Sequence, residues 1–495
     1  MSLRYKGLAV SGLALALIAC GGSSGSGKGP KTAFEKSGKE TRSGASVAQE
    51  AADQFEVALD QFAGYDKSQE WNKGSCKEVA KMFLSAAKKQ KSLTDRLFPE
   101  ALYNAGLAYQ RCAMDTEAQE QFQAAVGADG GFHRARGQLV LYDYKRTGDL
   151  DRAIEQLDLV IRDAKFQNVE ALTALAALQM ERGSEADLDE AKKNLQRALA
   201  IDDSFMPAFN QLAVYYLEAA KEKAAKSAGR ERRGRKALVV ASGKKAKVSG
   251  QQLDLAALVA SQGLRKNPQY APLHNTVGLI QVELENFNGA VKSFGKARAL
   301  DPGFFEAHMN YGAVNLSFRG FQEAEKAYKA ALKLHPDEFD AHLGLALAIR
   351  GQINPGNRKE LLKKSEEHLQ KARQLEPDRP ETYYNEAILT QEYKAKGEEQ
   401  ETIPALRKAA ELYQEFIGRA GGDEVFAEAV ERAKDRTQDI EDTIKFIEEG
   451  AEARAEAERA AKEAAAQKAA EKAVKKAEKK AEKKDEKKDE KDKKK

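Results

Sequence analysis

Small and apolar positions along this chain fall into a pattern that returns on itself. Residues 271–302 and 305–336 carry the same residue types at a shift of 34: Gly278 is followed by Gly312, Ala290 by Ala324, Phe294 by Tyr328, Ala297 by Ala331 and Pro302 by Pro336. Each set predicts two helices. The glycine lets the paired helices approach closely, the alanines keep the second helix thin where the next pair stacks, the aromatic ring fills the seam, and the proline stops the second helix.

A unit of this length and make-up resembles the tetratricopeptide repeat (TPR), a helix–turn–helix with a small residue in its first helix, an Ala-x3-aromatic-x2-Ala run in its second and a closing proline. The resemblance implies an all-α fold, a superhelical solenoid of antiparallel helix pairs. The pattern extends both ways with defects. Residues 99–129 keep it through Gly106, Tyr109, Ala118, Phe122 and Ala125, residues 133–166 through Leu139, Ala153 and Leu157, and residues 169–203 through Leu175, Ala176, Ala191, Leu195 and Ala198. A first helix at 206–216 meets its partner at 253–264 only after a long insertion. Residues 339–377 and 380–417 read as two further units, residues 48–91 as an opening pair without the full motif, and residues 423–447 as the cap that closes the last apolar face. The solenoid is thus expected over 46–447, about nine pairs and a cap.

The ends carry different signals. Arg4 and Lys6 precede an apolar run at 8–18, too short to span a bilayer permanently, which reads as a secretory signal. It closes in Leu17-Ile18-Ala19-Cys20, which resembles a bacterial lipobox. That resemblance implies residues 1–20 as a lipoprotein signal peptide and lipobox, with a diacylglycerol on Cys20. The alternative is an ordinary signal peptide with a chance cysteine. Residues 21–45 form a Gly/Ser/Lys-rich linker, expected as a flexible tether reaching roughly 25–30 Å on average. Gly21 stands where an inner-membrane lipoprotein of enteric bacteria carries aspartate, so the expected address is the periplasmic face of the outer membrane.

Net charge is only +4, but it is unevenly placed. The insertion 221–250 holds eleven Lys/Arg against two Glu. It reads either as a solvated loop or as a basic arm for an acidic partner, an anionic polymer or a lipid surface; export argues against nucleic acid. The tail 448–495 is rich in Ala, Lys and Glu. Glu458/Lys462 and Glu471/Lys475 sit at helical spacing, whereas beyond Lys476 like charges face each other and the end is expected to fray. The tail reads as a solubilising segment or as a tether to an anionic cell-wall polymer. Besides Cys20 the cysteines are Cys76 and Cys112, one at the start of the second helix of the opening pair, the other near the end of the next first helix. An exported compartment permits a disulfide between them; the alternative is two unpaired thiols.

Little in the chain speaks for catalysis. His274, His308 and His342 recur every 34 residues, but equivalent helices of a stack lie about 10 Å apart, too far for imidazoles to share a metal at about 2.0–2.1 Å, so they read as packing residues. There is no GxxxxGK(S/T), HExxH or GxSxG, and no metal site, cofactor or catalytic residue is expected. The TPR resemblance instead implies a concave groove lined by first helices. In repeat phase its residues are Asn210, Val214, Leu217, Asn275, Leu279, Val282, Leu316, Leu347, Tyr384 and Ile388, with Leu107, Leu141, Tyr144 and Ala313 in equivalent places. Mostly apolar with a few amides and tyrosines, and without the lysines and paired asparagines of TPRs that clamp a carboxylate, such a groove suits a helix or apolar peptide from another envelope protein. Lipobox, TPR body and charged tail together resemble the TPR lipoproteins of myxobacterial gliding-motility complexes. That implies a membrane-anchored, non-enzymatic scaffold; an assembly factor for outer-membrane proteins, secretins or exported polysaccharide, and an activator of a wall-remodelling enzyme, are the alternatives.

Overall fold

The computed structural model describes residues 4–6, 46–68, 70–227, 237–239, 250–396, 399–423 and 425–492. The expected lipid site at Cys20, the linker 21–45 and most of the basic insertion lie outside them. Strands β1 (Arg4–Lys6) and β2 (Ala237–Val239) pair antiparallel; all other regular structure among the described residues is helical. The chain divides into two compact units, Met1–Gln352 and Ile353–Lys495.

The first unit is a run of helix pairs: α1 (Gln49–Ser68) with α2 (Lys73–Thr94), α3 (Pro99–Gln110) with α4 (Asp115–Ala128), α5 (His133–Thr147) with α6 (Leu150–Asp163), and α7 (Val169–Arg182) with α8 (Glu185–Ile201). It continues with α9 (Met206–Ser227) and α10 (Gln251–Lys266), α11 (Ala271–Glu283) and α12 (Phe287–Leu300), α13 (Phe305–Ser317) and α14 (Phe321–Leu334), and ends on α15 (Phe339–Arg350). Local chemistry sets many boundaries. Asn72 and Ser75 form a reciprocal capping box at α2, and Asp149, Ser184 and Asn286 each accept a backbone N–H at the start of α6, α8 and α12. Gly148 and Gly183 end α5 and α7 at φ 70° and 73°, the left-handed conformation glycine adopts without cost.

The odd-numbered helices from α5 to α13 each touch the next odd-numbered one as well as their even partners, so the first helices form the inner layer of this unit. The repeat residues do what their types suggest. A Cβ on Gly278 would lie 2.4 Å from the Phe294 ring, and one on Gly312 2.9 Å from the Tyr328 ring, so neither helix pair could close around alanine without displacing the ring. Ala290, Ala297, Ala324 and Ala331 are fully buried.

Cys76, in the first turn of α2, is joined by a disulfide to Cys112, just past α3, with Cα atoms 6.3 Å apart. The same corner is tied by Arg111, which donates to both carboxylate oxygens of Asp66 at 2.8 and 2.9 Å, and by the Trp71 indole, which donates to Asp66 at 2.9 Å. The opening pair lacks most of the repeat motif, and these bonds join it to its neighbour.

The second unit holds α16 (Arg358–Leu375), α17 (Glu381–Leu389) running on through a π-helical turn (Thr390–Lys394), α18 (Glu399–Ala420) and α19 (Ala427–Asp492). Its core gathers Tyr384, Leu406, Tyr413 and Phe416 around Ala433 and Ile440 of α19. Two boundaries differ from those the sequence suggests. The cap and the tail are one helix of 66 residues, which runs on to Asp492 where fraying was expected beyond Lys476, because no proline interrupts 427–492 and Ala, Lys and Glu all favour helix. Likewise α9 does not stop at Tyr216 but continues to Ser227, taking the first residues of the expected insertion, where Lys221 pairs with Glu218 at 3.0 Å.

Candidate partner-binding groove

The inner layer of the first unit has two chemically distinct stretches. On α9, α11 and α13 a row of buried amides is linked from helix to helix: Thr276 Oγ1 donates to Asn210 Oδ1 at 2.7 Å, and Asn310 Nδ2 donates to Asn275 Oδ1 at 2.9 Å. Between these bonds Val214, Leu279 and Leu316 are half-buried, so part of each remains open to a ligand.

The remaining groove positions read from the sequence are less available. Asn210, Leu217, Asn275, Val282 and Leu347 are buried, as are Ala313 and Leu141. These side chains are enclosed between neighbouring helices of the stack rather than left on its open face. Leu107 and Tyr144 stay half-buried, and Tyr144 donates to Glu181 at 2.9 Å. Tyr384 and Ile388 belong to the second unit. The Tyr384 ring is buried against Tyr413 and Phe416, at centroid distances of 5.8 and 4.8 Å, which withdraws it from any partner, and Ile388 packs half-buried against the same core.

The other stretch, on α3, α5 and α7, is charged, and the repeat phase did not reveal it. The second residues of these helices are Glu100, Arg134 and Glu170. Arg134 makes a two-pronged ion pair with Glu170 and lies over the Tyr103 ring, its guanidinium carbon 4.7 Å from the centroid. Burial opposes the charge on Arg134, but Glu170 and Tyr103 outweigh it, and the group is held protonated. The available signal was an arginine placed one repeat from glutamates at the same helical position.

The 34-residue histidine series has a structural explanation. Each Nε2 lies within hydrogen-bond distance of the carbonyl oxygen of the proline six residues earlier: His274 with Pro268 at 2.8 Å, His308 with Pro302 and His342 with Pro336 at 2.9 Å. With Nε2–H as donor, the ring fastens the turn before each first helix. Burial lowers the pKa of His274 and His308 below the ordinary value, which keeps both neutral at pH 7. Among the described residues no group of His, Cys, Asp or Glu is placed to hold a metal ion. The end of α1 (Asp66, Lys67, Ser68) shares a cleft of about 330 Å³ with Gln269, Ala299, Leu300 and Pro302, so the stack curls back toward its own first pair.

No family model and no curated protein matches the chain. Solved structures do. A thermophilic TPR protein of Thermus thermophilus aligns at 23% identity over 44% of this chain and 99% of its own, with a TM-score of 0.35. A tetratricopeptide repeat protein of Parabacteroides merdae aligns at 16% over 60% and 99%, with a TM-score of 0.36. PilF of Pseudomonas aeruginosa aligns at 16% over 53% and 99%, with a TM-score of 0.37. The fold of this chain, built from glycine- and alanine-seamed helix pairs whose first helices form the inner row, is that of an all-α tetratricopeptide solenoid.

Proposed function

We propose that this protein is a lipid-anchored scaffold of the bacterial cell envelope that captures a segment of another protein along the inner helices of its first unit and catalyses no reaction itself. The observation that carries the binding part is the row Val214, Leu279 and Leu316. These are apolar side chains left half-open on three successive first helices, beside buried amides that bond from helix to helix. Such a row offers apolar contact at regular spacing, which suits an apolar peptide or one face of an amphipathic helix. The anchoring part rests on Leu17-Ile18-Ala19-Cys20 and the linker that follows. An outer-membrane address on the periplasmic side, in a machine such as a gliding-motility complex, is the preferred setting. Assembly of secretins, outer-membrane proteins or exported polysaccharide would use the same surface, as would activation of a wall-remodelling enzyme.

Crosslinking in cells of protein carrying a photoreactive residue at Leu279 or Leu316 tests the groove, with substitution of both leucines by Glu as the control. The reading expects one dominant adduct that the double substitution removes at unchanged melting temperature. An adduct that survives the substitution, or a collapse in melting temperature, would count against it. Metabolic labelling with a lipid analogue tests the anchor: label is expected in the native protein and absent from Cys20→Ser.

A further inference from the structure

The first helices of the curled stack are stitched to one another by side-chain bonds, and one seam differs from the rest. From α3 to α5, Gln110 Nε2 donates to Gln138 Oε1 at 3.0 Å. From α5 to α7, Arg134 pairs with Glu170 and Tyr144 donates to Glu181. From α9 to α11 and from α11 to α13 the links are Thr276 with Asn210 and Asn310 with Asn275. Between α7 and α9, among the described residues, the one such bond runs from Gln211 Nε2 to the sulfur of Met180, at 3.2 Å. A thioether is a weak acceptor. The other end of the same amide is worse placed: Gln211 is 1% exposed, and its Oε1 is sealed from water without a hydrogen-bond partner. A buried oxygen left unpaired destabilises the arrangement that buries it. The α7–α9 seam is therefore where the stack parts most easily.

Parting would uncover α7. Ala171 to Met180 are buried one after another, so this inner helix has no open face, whereas on α11 Val277, Leu279 and Gln281 are half-open. The two ends of the arc meet across a cleft, not a packed core, with Asp66, Lys67 and Ser68 on one side and Ala299, Leu300 and Pro302 on the other. Asp66 is engaged by Arg111 and Trp71 on its own side. In a repeat stack each pair bears mainly on its neighbours, so movement at one seam can widen that cleft while every other pair stays packed.

We propose that the first unit opens as a hinge at the α7–α9 seam, and that this opening controls entry to the inner groove. The closed arrangement leaves Val214, Leu279 and Leu316 half-open; the open one adds the alanine- and leucine-rich face of α7 to the same row. A partner that binds the longer row draws the population toward the open form. The role in partner entry rests on the groove proposed above, but the motion itself is measured without a partner.

The test is oxidation of the full-length, folded protein by dilute hydrogen peroxide, with methionine sulfoxide followed at each site by mass spectrometry. Met180 at the seam is 5% exposed and Met309 on α13 is 3% exposed, so static burial predicts similar rates for the two. Opening predicts several-fold faster oxidation of Met180. Gln211→Leu, which removes the unpaired oxygen, should bring Met180 close to the rate of Met309. So should a lock across the cleft, made by joining Ser68→Cys to Ala299→Cys with a short bis-maleimide; both positions are exposed, so the fold is undisturbed. Equal rates at Met180 and Met309 in the unlocked protein, or a Met180 rate indifferent to the lock, would overturn the proposal. If Met180 responds as expected and no photoadduct forms at Leu279 or Leu316, the hinge stands and the groove reading fails.

Discussion

The pairs α11–α14 and the far half of α19 are both helical, and for different reasons. In the pairs, Phe294 and Tyr328 are fully buried on glycines of the opposite helix, and the alanines beside them are sealed from water. In α19, Ile440 is the last buried side chain among the described residues, Phe446 is 77% exposed, and residues 451–476 are exposed throughout. That stretch is supported by alanine's helix propensity and by charge pairs one turn apart, such as Glu458 with Lys462 at 2.7 Å. One region needs its neighbours to be helical and the other does not. Tertiary perturbations should therefore damage the first and spare the second, while salt should do the reverse.

The largest effect is expected from Phe294→Ala, which empties the seam against Gly278 and should cost about 3–5 kcal/mol. The matched change in α19, Val474→Ala, alters a side chain that is 56% exposed and should stay within about 0.5 kcal/mol. Denaturant melts of both variants check the pair, and equal losses would show that the tail is packed after all.

Next comes the disulfide. It joins residues 36 apart in sequence, and the chain-entropy relation gives about 3–4 kcal/mol for a loop of that length. Cys76→Ser should lower the stability of the opening pairs by that order and leave α19 unchanged, as hydrogen exchange would report. Mass spectrometry of alkylated, non-reduced exported protein should find no free thiol at Cys76 or Cys112.

A smaller effect concerns pH. Burial depresses the pKa of His274 and His308, so below about pH 6.5 the unfolded chain binds protons that the folded chain refuses. Their contribution is complete above the unfolded value, shrinks as pH falls through the window down to the depressed folded value, and levels off beneath it. His308→Gln should reduce this loss, measured as the difference in melting temperature between pH 7.5 and 5.5. An unchanged difference would mean that the ring is protonated without penalty.

The smallest effect is the salt response of α19. At 1 M salt the screening length falls to about 3 Å, and exposed pairs worth about 0.3–0.5 kcal/mol each weaken. Helicity over 451–476 should drop slightly while the melting of the repeat body stays put. A salt-insensitive tail would assign its helix to alanine alone.

The helix pairs were legible in the sequence because each depends on residue types that must return at one spacing: glycine where a ring is met, alanine where a helix must be thin, proline where it must stop. The Cys76–Cys112 geometry was legible as well, since the repeat phase already placed both residues at one edge of adjacent helices. The groove was only partly legible. Repeat phase identifies which residues belong to the first helices, but exposure depends on how closely those helices approach. Val214 and Leu279 therefore remain half-open while Leu217 and Val282, one turn further along the same helices, are buried.

Local chemistry thus determined the repeat, the helix ends capped by Asn72, Ser184 and Gly183, and the helical character of the tail. Only the tertiary structure decided that the histidine series serves Pro268, Pro302 and Pro336, that Arg134 and Glu170 meet on the inner layer, and that Phe287 and Phe318 come together from successive turns. The physical reason is range. Propensity and capping act within a few residues and repeat spacing fixes only the register, whereas these meetings bring a ring to a backbone carbonyl six residues back or join side chains of different turns and helices, through packing that no local pattern specifies.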